Sequence, residues 1–164
     1  MLKKVIGRFS GWLSYSFTKS RRHFDSEKLK GVFPSSHERP HEFNAVITFK
    51  CNDKWNFGGT FVFASGTPFT GVKQFYMINN NLISEFGDYN SCRLDPYSRL
   101  DLSATYAIKK TKAVEYGVNL SLYNALYSKN PSLYRLKIYN RRYTYRNFGL
   151  FIRTLPSLDF YLKF

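Results

Sequence analysis

The chain ends in Pro156-Ser-Leu-Asp-Phe-Tyr-Leu-Lys-Phe164, and this stretch decides the fold. Over 157–164 every second side chain is apolar, and the apolar set is Leu158, Phe160, Leu162 and Phe164. The terminus of a soluble protein is usually polar and frayed. A strand with one wholly apolar face that ends on an aromatic residue is typical of the last strand of an outer-membrane β-barrel, in which one face meets lipid and the other meets the lumen.

The same two-residue period recurs in five earlier segments of the chain. They cover residues 11–20, 43–50, 54–64, 100–109 and 116–123. About ten residues at about 3.3 Å each extend about 33 Å, which spans a bilayer core when the strand is tilted by about 45°. The sequence therefore predicts an all-β fold, an antiparallel meander of about six transmembrane β-strands. The chain by itself should form a curved open sheet with edges at 11–20 and 157–164.

The alternation also predicts which side chains share a face. The lipid-facing set is Phe57, Phe61, Phe63, Leu102, Tyr106, Leu120, Leu158 and Phe160. The lumen-facing set is Asn56, Thr60, Ser103, Thr105, Asn119 and Ser121. A register slip of one residue would invert both sets, so the placement of Thr60 and Phe61 is a direct test.

The connections between the predicted strands alternate in length. Residues 51–54 and 110–115 form short turns, whereas 21–42, 66–98 and 127–149 form long connections. Outer-membrane barrels have short periplasmic turns and longer external loops, so the short turns are expected on the periplasmic side. Strand-like residues within 127–149 predict a hairpin that joins the last two strands. Pro156 is expected at a bulge, because proline cannot donate to the strand ladder.

Composition limits the class of protein further. The 164 residues suffice for one domain, 19% of them are aromatic, and the mean hydropathy is −0.38. No run of 18 apolar residues exists, which excludes a transmembrane helix. The first residues lack the apolar core and cleavage site of a signal peptide. Cys51 and Cys92 are expected on opposite sides of the membrane, unbridged.

The catalytic and metal-binding candidates are weak. His37-Glu-Arg-Pro-His41 matches the H-E-x-x-H spacing of zinc proteases, but Pro40 would break the helix that the two histidines need. A loop leading into a strand is the better interpretation. Asp101 and Asp159 are lumen-facing carboxylates among cations and are expected to be charge partners. The sequence therefore predicts no enzyme, no catalytic residue, no metal site and no cofactor.

A basic stretch near the end of the chain leaves two interpretations open. Net charge is +14, and 129–146 contains no acid. Its cations are Lys129, Arg135, Lys137, Arg141, Arg142 and Arg146, and they are interleaved with Tyr134, Tyr139, Tyr143 and Tyr145. Such a segment resembles a platform for single-stranded nucleic acid. The strand pattern favours the other interpretation, a barrel rim that faces the phosphates of lipopolysaccharide.

With these segments in place, the chain resembles the C-terminal part of a TonB-dependent receptor barrel. The residues of the likeness are Gly11-Trp-Leu-Ser-Tyr-Ser-Phe-Thr-Lys-Ser20, Glu38-Arg-Pro-His41, Ala64-Ser-Gly-Thr-Pro-Phe-Thr70, Tyr89-Asn-Ser-Cys-Arg-Leu-Asp-Pro-Tyr-Ser-Arg-Leu-Asp-Leu-Ser103, Leu122-Tyr-Asn124, Lys129-Asn-Pro131 and 155–164. Family members commonly have Asp-Arg-Pro-His, so Glu38 is a departure from their pattern. Together these segments extend over nearly the whole chain.

The resemblance implies a partial segment of a 22-stranded barrel, with residues 1–164 as its C-terminal part and without the N-terminal plug or signal peptide. It implies location in the cell outer membrane, in contact with lipid and lipopolysaccharide. The parent protein would import a bulky ligand, energised by the TonB complex through N-terminal parts that this chain lacks. The barrel assembly machinery would recognise the final strand ending in Phe164. The competing hypothesis from another class is a small basic β-protein that binds single-stranded nucleic acid.

Overall fold

The structure is a computed structural model that describes residues 1–79, 81–111, 113–139, 142–149 and 153–164. Within β-strands it leaves the side chains of residues 131, 135, 136, 138, 139 and 142–149 undescribed. The described residues are all-β and contain no α-helix. They accordingly hold no helix of the length and apolarity needed to cross a membrane.

The described residues form fifteen strands in succession. They are β1 (Leu2–Lys4), β2 (Phe9–Phe17), β3 (Arg21–Asp25), β4 (Lys30–Pro34), β5 (His41–Lys50), β6 (Trp55–Ala64), β7 (Pro68–Phe69), β8 (Val72–Ile78), β9 (Asn81–Phe86), β10 (Cys92–Arg93), β11 (Tyr97–Lys110), β12 (Glu115–Tyr123), β13 (Pro131–Tyr139), β14 (Arg142–Gly149) and β15 (Leu155–Lys163).

Seven of these strands form one antiparallel central sheet in the order β1-β2-β5-β6-β11-β12-β15. The spatial order follows the chain order, so the sheet is a meander. The six longer strands coincide with the six predicted segments to within a few residues. The short strand β1 was not predicted, because its three residues, Leu2-Lys-Lys4, contain too little alternation to be recognised.

The register confirms the predicted faces. Leu102 lies opposite Gly59 on β6 and Leu122 on β12, and Leu120 in turn lies opposite Leu158 on β15. The polar residues occupy the alternate positions, so Asp101 lies opposite Thr60. All eight residues expected on one face, Phe61 among them, share that face, which we call the apolar face. All six residues expected on the other face share it too, and we call it the polar face.

One predicted detail of the strands is wrong. Pro156 lies within β15 opposite Leu122 without a register shift, because an edge strand needs hydrogen-bond donors on one side only. The irregularity of this region is instead in β11, between Ala107 and Lys109. It places Lys110 opposite Glu115, on the polar face, whereas unbroken alternation would turn Lys110 to the apolar face.

The long connections contain β-strands as well as loops. Each of them carries an antiparallel hairpin, β3–β4, β8–β9 or β13–β14, and the second also holds the small β7–β10 pair. The hairpin predicted within 127–149 is therefore confirmed, whereas the strands within 21–42 and 66–98 were missed. All three long connections leave from one end of the central sheet (the loop end). The turns at 51–54 and 111–114, and the residues between β1 and β2, lie at the other end (the turn end).

The central sheet is open and curled. In the described residues β1 and β15 each have one neighbour, so the sheet does not close. The predicted first edge is partly wrong, because β1 covers Gly11–Leu13 of β2. In a flat sheet β2 and β15 would lie about 24 Å apart. Arg8, which precedes β2, and Lys163 of β15 nevertheless line the same cavity, so the sheet curls. The polar face therefore forms the concave side.

Candidate functional site: a two-faced sheet with a clasped loop end

Aromatic rings cover the apolar face at the turn end. The centroids of Phe9 and Phe49 are 4.4 Å apart, and those of Phe49 and Phe57 are 6.5 Å apart. Trp55 continues the row, at 5.8 Å from Phe57 and 4.8 Å from Tyr106. Five rings on four strands thus form one continuous aromatic belt.

A second aromatic group covers the same face at the loop end. The Tyr15 hydroxyl lies 2.8 Å from Nδ1 of His41, and the rings of Phe17 and His41 are 5.1 Å apart. Phe43 contacts Phe61, with 6.1 Å between centroids. From Phe9 to Phe17 strand β2 extends about 27 Å.

Between the two aromatic groups the apolar face is mainly aliphatic, and it is exposed. Ile47 is 55% exposed, Leu120 55% and Leu158 60%. By contrast, the buried apolar side chains among the described residues are only Ala64, Leu94 and Ala107, and no large side chain there is fully buried. The described residues therefore do not use their large apolar side chains to build a core.

Short polar side chains on the polar face bond across the strands. Thr105 Oγ1 donates to Asn119 Oδ1 at 3.0 Å, and Asn119 Nδ2 donates to Asp159 Oδ2 at 3.5 Å. The hydroxyls of Ser121 and Ser157 are 2.6 Å apart. These bonds join the polar side chains of β11, β12 and β15 into one network across the polar face.

Asp101 acts as a charge partner, as predicted. Its Oδ2 lies 3.0 Å from Nε of Arg99, and its Oδ1 accepts a hydrogen bond of 2.9 Å from the backbone N–H of Asn124. The Arg99 guanidinium also lies 4.9 Å from the centroid of the Tyr123 ring. The carboxylate thus organises the loop-end side of the polar face.

Glu38 joins the first two long connections, in what we call the loop clasp (Glu38, Arg93 and their backbone partners). Glu38 is 4% exposed and accepts a hydrogen bond of 3.0 Å from the backbone N–H of Ser20. The Arg93 guanidinium donates to its other carboxylate oxygen and to the Gly66 carbonyl, the latter at 3.1 Å. A Cβ on Gly66 would lie 1.7 Å from the Leu94 carbonyl oxygen, so this close passage requires glycine.

The electrostatics of the clasp favour the ionised carboxylate. Burial by itself would raise the pKa of Glu38. The hydrogen bonds from Arg93 and Ser20, with the positive charges of Arg93 and Arg21, outweigh burial and lower the pKa below the ordinary 4.5.

A second set of contacts holds hairpin β3–β4 against the same connection. Asn90, which is 6% exposed, donates through Nδ2 to the Pro34 carbonyl at 2.8 Å. The Tyr89 ring packs edge-on against Phe24 and Phe33, at 5.6 Å and 5.8 Å between centroids. The first two long connections are therefore fastened together.

The zinc-protease spacing is not realised as a site. His37 lies in a turn and His41 begins β5, so the helix that would align them is not formed. Glu38 is engaged by Ser20 and Arg93, and His41 Nδ1 by Tyr15. In the part of the chain that the structure describes, no three potential metal-ligating side chains cluster.

The basic stretch is described only in part. The backbones of β13 and β14 pair from Pro131 with Gly149 to Tyr139 with Arg142. Arg141 lies outside the described residues, and so do the side chains of Arg135, Arg142, Arg146, Tyr139, Tyr143 and Tyr145. Neither the rim nor the nucleic-acid interpretation is tested by this hairpin. Cys51 and Cys92 are free and exposed at opposite ends of the sheet.

Sequence reasoning missed the partners that build the loop end. Arg93, Asn90 and Asn124 stand in quoted motifs but received no role. Asn90 and Asn124 adopt positive φ values of 55° and 51°, a conformation in which asparagine is enriched. An asparagine close to the end of a strand was therefore the feature of the sequence that could have indicated these two positions. The pairing of Glu38 with Arg93, 55 residues away, left no local signal.

Comparison with known proteins leaves the family resemblance a hypothesis. No protein-family model matches the chain, and no curated protein or solved structure does either. The two faces and the clasped loop end must therefore be interpreted from their own geometry.

Proposed function

We propose that this chain is the C-terminal barrel segment of an outer-membrane receptor of the TonB-dependent type, whose parent imports a bulky ligand without doing chemistry. The observation that carries the proposal is the apolar face, a continuous exposed band bordered by aromatic rings at both ends. Transmembrane barrels have this arrangement, with an apolar band about 25 Å tall between aromatic girdles. A soluble protein rarely exposes so large an apolar surface.

The proposal assigns a partner to each surface. Lipid covers the apolar face. Lipopolysaccharide contacts the loop end, where Lys19, Arg21 and Arg22 are exposed near the second aromatic group. The free edge of β15, with Phe164, is offered to the barrel assembly machinery by strand addition. Further strands of a 22-stranded barrel would complete the open edges, and the TonB complex would act through parts outside this chain. The clasped loop end would help to shape the ligand's route.

The test is the behaviour of the purified chain with and without detergent. We expect it to be monodisperse only in detergent or lipid, because removing the apolar face from water is strongly favourable. A soluble, cooperatively melting monomer without detergent would reject the proposal. The competing function, binding of single-stranded nucleic acid, would then be the one to pursue.

A further inference from the structure

A polar cavity of about 610 Å³ opens on the concave face at the turn end of the central sheet. Its volume lies within the range of about 300–1,000 Å³ that is common for small-molecule sites. Its lining comes from the ends of β2, β5, β6, β11, β12 and β15 and from the adjoining turns. The polar-face residues at the turn end of nearly every central strand therefore line this one cavity.

Those terminal residues are mostly cations. Arg8, Lys50, Lys54, Lys110 and Lys163 line the cavity, against the two carboxylates of Asp53 and Glu115. Rings of Lys and Arg side chains are the usual device by which barrels and channels attract anions. The set is therefore a candidate anion site.

Internal pairing leaves part of this charge uncompensated. Lys50 Nζ lies 3.1 Å from Asp53, and Glu115 lies 3.6 Å from both Lys110 and Lys163. Among the described residues, no carboxylate lies within ion-pair distance of Arg8 or Lys54. These two cations, on the flanks of β2 and β6, are available for a ligand.

Two local features of the backbone shape the cavity. The bulge between Ala107 and Lys109 turns Lys110 toward the polar face and toward Glu115. Gly117 lies opposite Tyr161, and a Cβ on it would lie 2.8 Å from the Tyr161 hydroxyl oxygen. The missing side chain lets Tyr161 reach Glu115, to which its hydroxyl donates at 3.3 Å.

The lining indicates which kind of anion fits. Thr48 and Asn56 add neutral hydrogen-bond donors beside the cations. Lys163 lies over the Tyr161 ring, with its Nζ 5.4 Å from the ring centroid, so one face of that ring is covered by a cation. Trp55 is engaged with Phe57 and Tyr106 on the apolar face.

We propose that this cavity binds a small polyanion through its phosphate groups, with Arg8 and Lys54 as the ligand-facing cations. The transport function is not required for such binding.

The experiment is calorimetric titration of the full chain in a non-ionic detergent with inorganic tripolyphosphate. We expect the double variant Arg8→Gln/Lys54→Gln to weaken binding about a hundredfold, about tenfold for each lost charge-assisted contact. The control Lys28→Gln/Lys73→Gln removes the same charge from exposed positions in the loop-end hairpins and should leave the affinity within about threefold. Lys54→Arg should retain binding, because it keeps the charge.

Three results would overturn the proposal. The first is no binding of tripolyphosphate at concentrations below about 1 mM. The second is equal weakening in the control, and the third is an unchanged affinity in the double variant. Tighter binding of single-stranded oligonucleotide than of tripolyphosphate at equal charge would assign the cavity to nucleic acid instead. Circular dichroism of each variant separates loss of binding from loss of fold.

Discussion

The two faces of the central sheet share one backbone and differ in almost everything else. On β12, Leu120 is 55% exposed on the apolar face, while its neighbour Asn119 is hydrogen-bonded to Thr105 and Asp159 on the polar face. A core would bury the apolar member of such a pair. Here the apolar side chains are left for an external apolar medium, and the polar ones are connected to each other.

The largest expected effect comes from placing a charge on the wrong face. Leu120→Arg puts a cation in the middle of the apolar face and should destabilise the protein in a bilayer by about 2–4 kcal/mol. Ser121→Arg, the next residue along the strand, puts the same group on the polar face. Urea titration of the chain refolded in lipid vesicles measures both. Equal losses in the two variants would break the distinction between the faces.

The next effect distinguishes the clasped loop end from the exposed surface around it. Glu38→Ala removes the acceptor of the Ser20 N–H and the carboxylate partner of Arg93, which keeps its bond to the Gly66 carbonyl, and this should cost about 1–3 kcal/mol of local stability. We expect limited proteolysis within hairpin β3–β4 to accelerate about 5- to 150-fold. The control is Asp25→Ala, whose pair with Lys30 is exposed and should contribute little. Similar cleavage of both variants would contradict the clasp.

A smaller effect is the pH dependence of the same clasp. The folded pKa of Glu38 is below its ordinary 4.5, so the unfolded chain binds the proton more readily. The stabilisation is fully present above about pH 4.5 and is lost as the pH falls through the folded pKa. The difference in proteolysis rate between wild type and Glu38→Gln should therefore shrink on acidification. A constant difference between pH 7 and pH 3 would assign the clasp to packing instead of charge.

The sequence predicted the sheet well and the loop end poorly, for one physical reason. Period-two alternation over about ten residues is a local signal, so six strands, their faces and the short turns could be derived from it. The loop end depends on contacts between distant residues, such as Glu38 with Arg93 or Tyr89 with Phe24 and Phe33. Such contacts leave no periodicity.

The cation cavity was missed for a related reason. Lys50, Lys110 and Lys163 each stand at the end of a strand, where a lysine is an ordinary surface residue. The curl of the sheet and the bulge at Ala107 bring them together. Neither feature is readable from alternation, and the bulge even reverses the face that alternation assigns to Lys110.

The smallest expected effect on stability comes from replacing either cysteine, and the two variants make the two ends of the sheet distinguishable. Cys51 and Cys92 are free and exposed, so Cys51→Ser and Cys92→Ser should each change the stability by less than about 0.5 kcal/mol. Each single-cysteine variant then reports one end, because Cys51 lies at the turn end and Cys92 at the loop end. In cells that hold the chain in the outer membrane, a membrane-impermeant maleimide should label Cys92 from outside. Cys51 should react only after permeabilisation, since short turns face the periplasm. Labelling of both cysteines in intact cells would mean that the apolar face does not separate two compartments, and the reverse pattern would invert the orientation of the sheet.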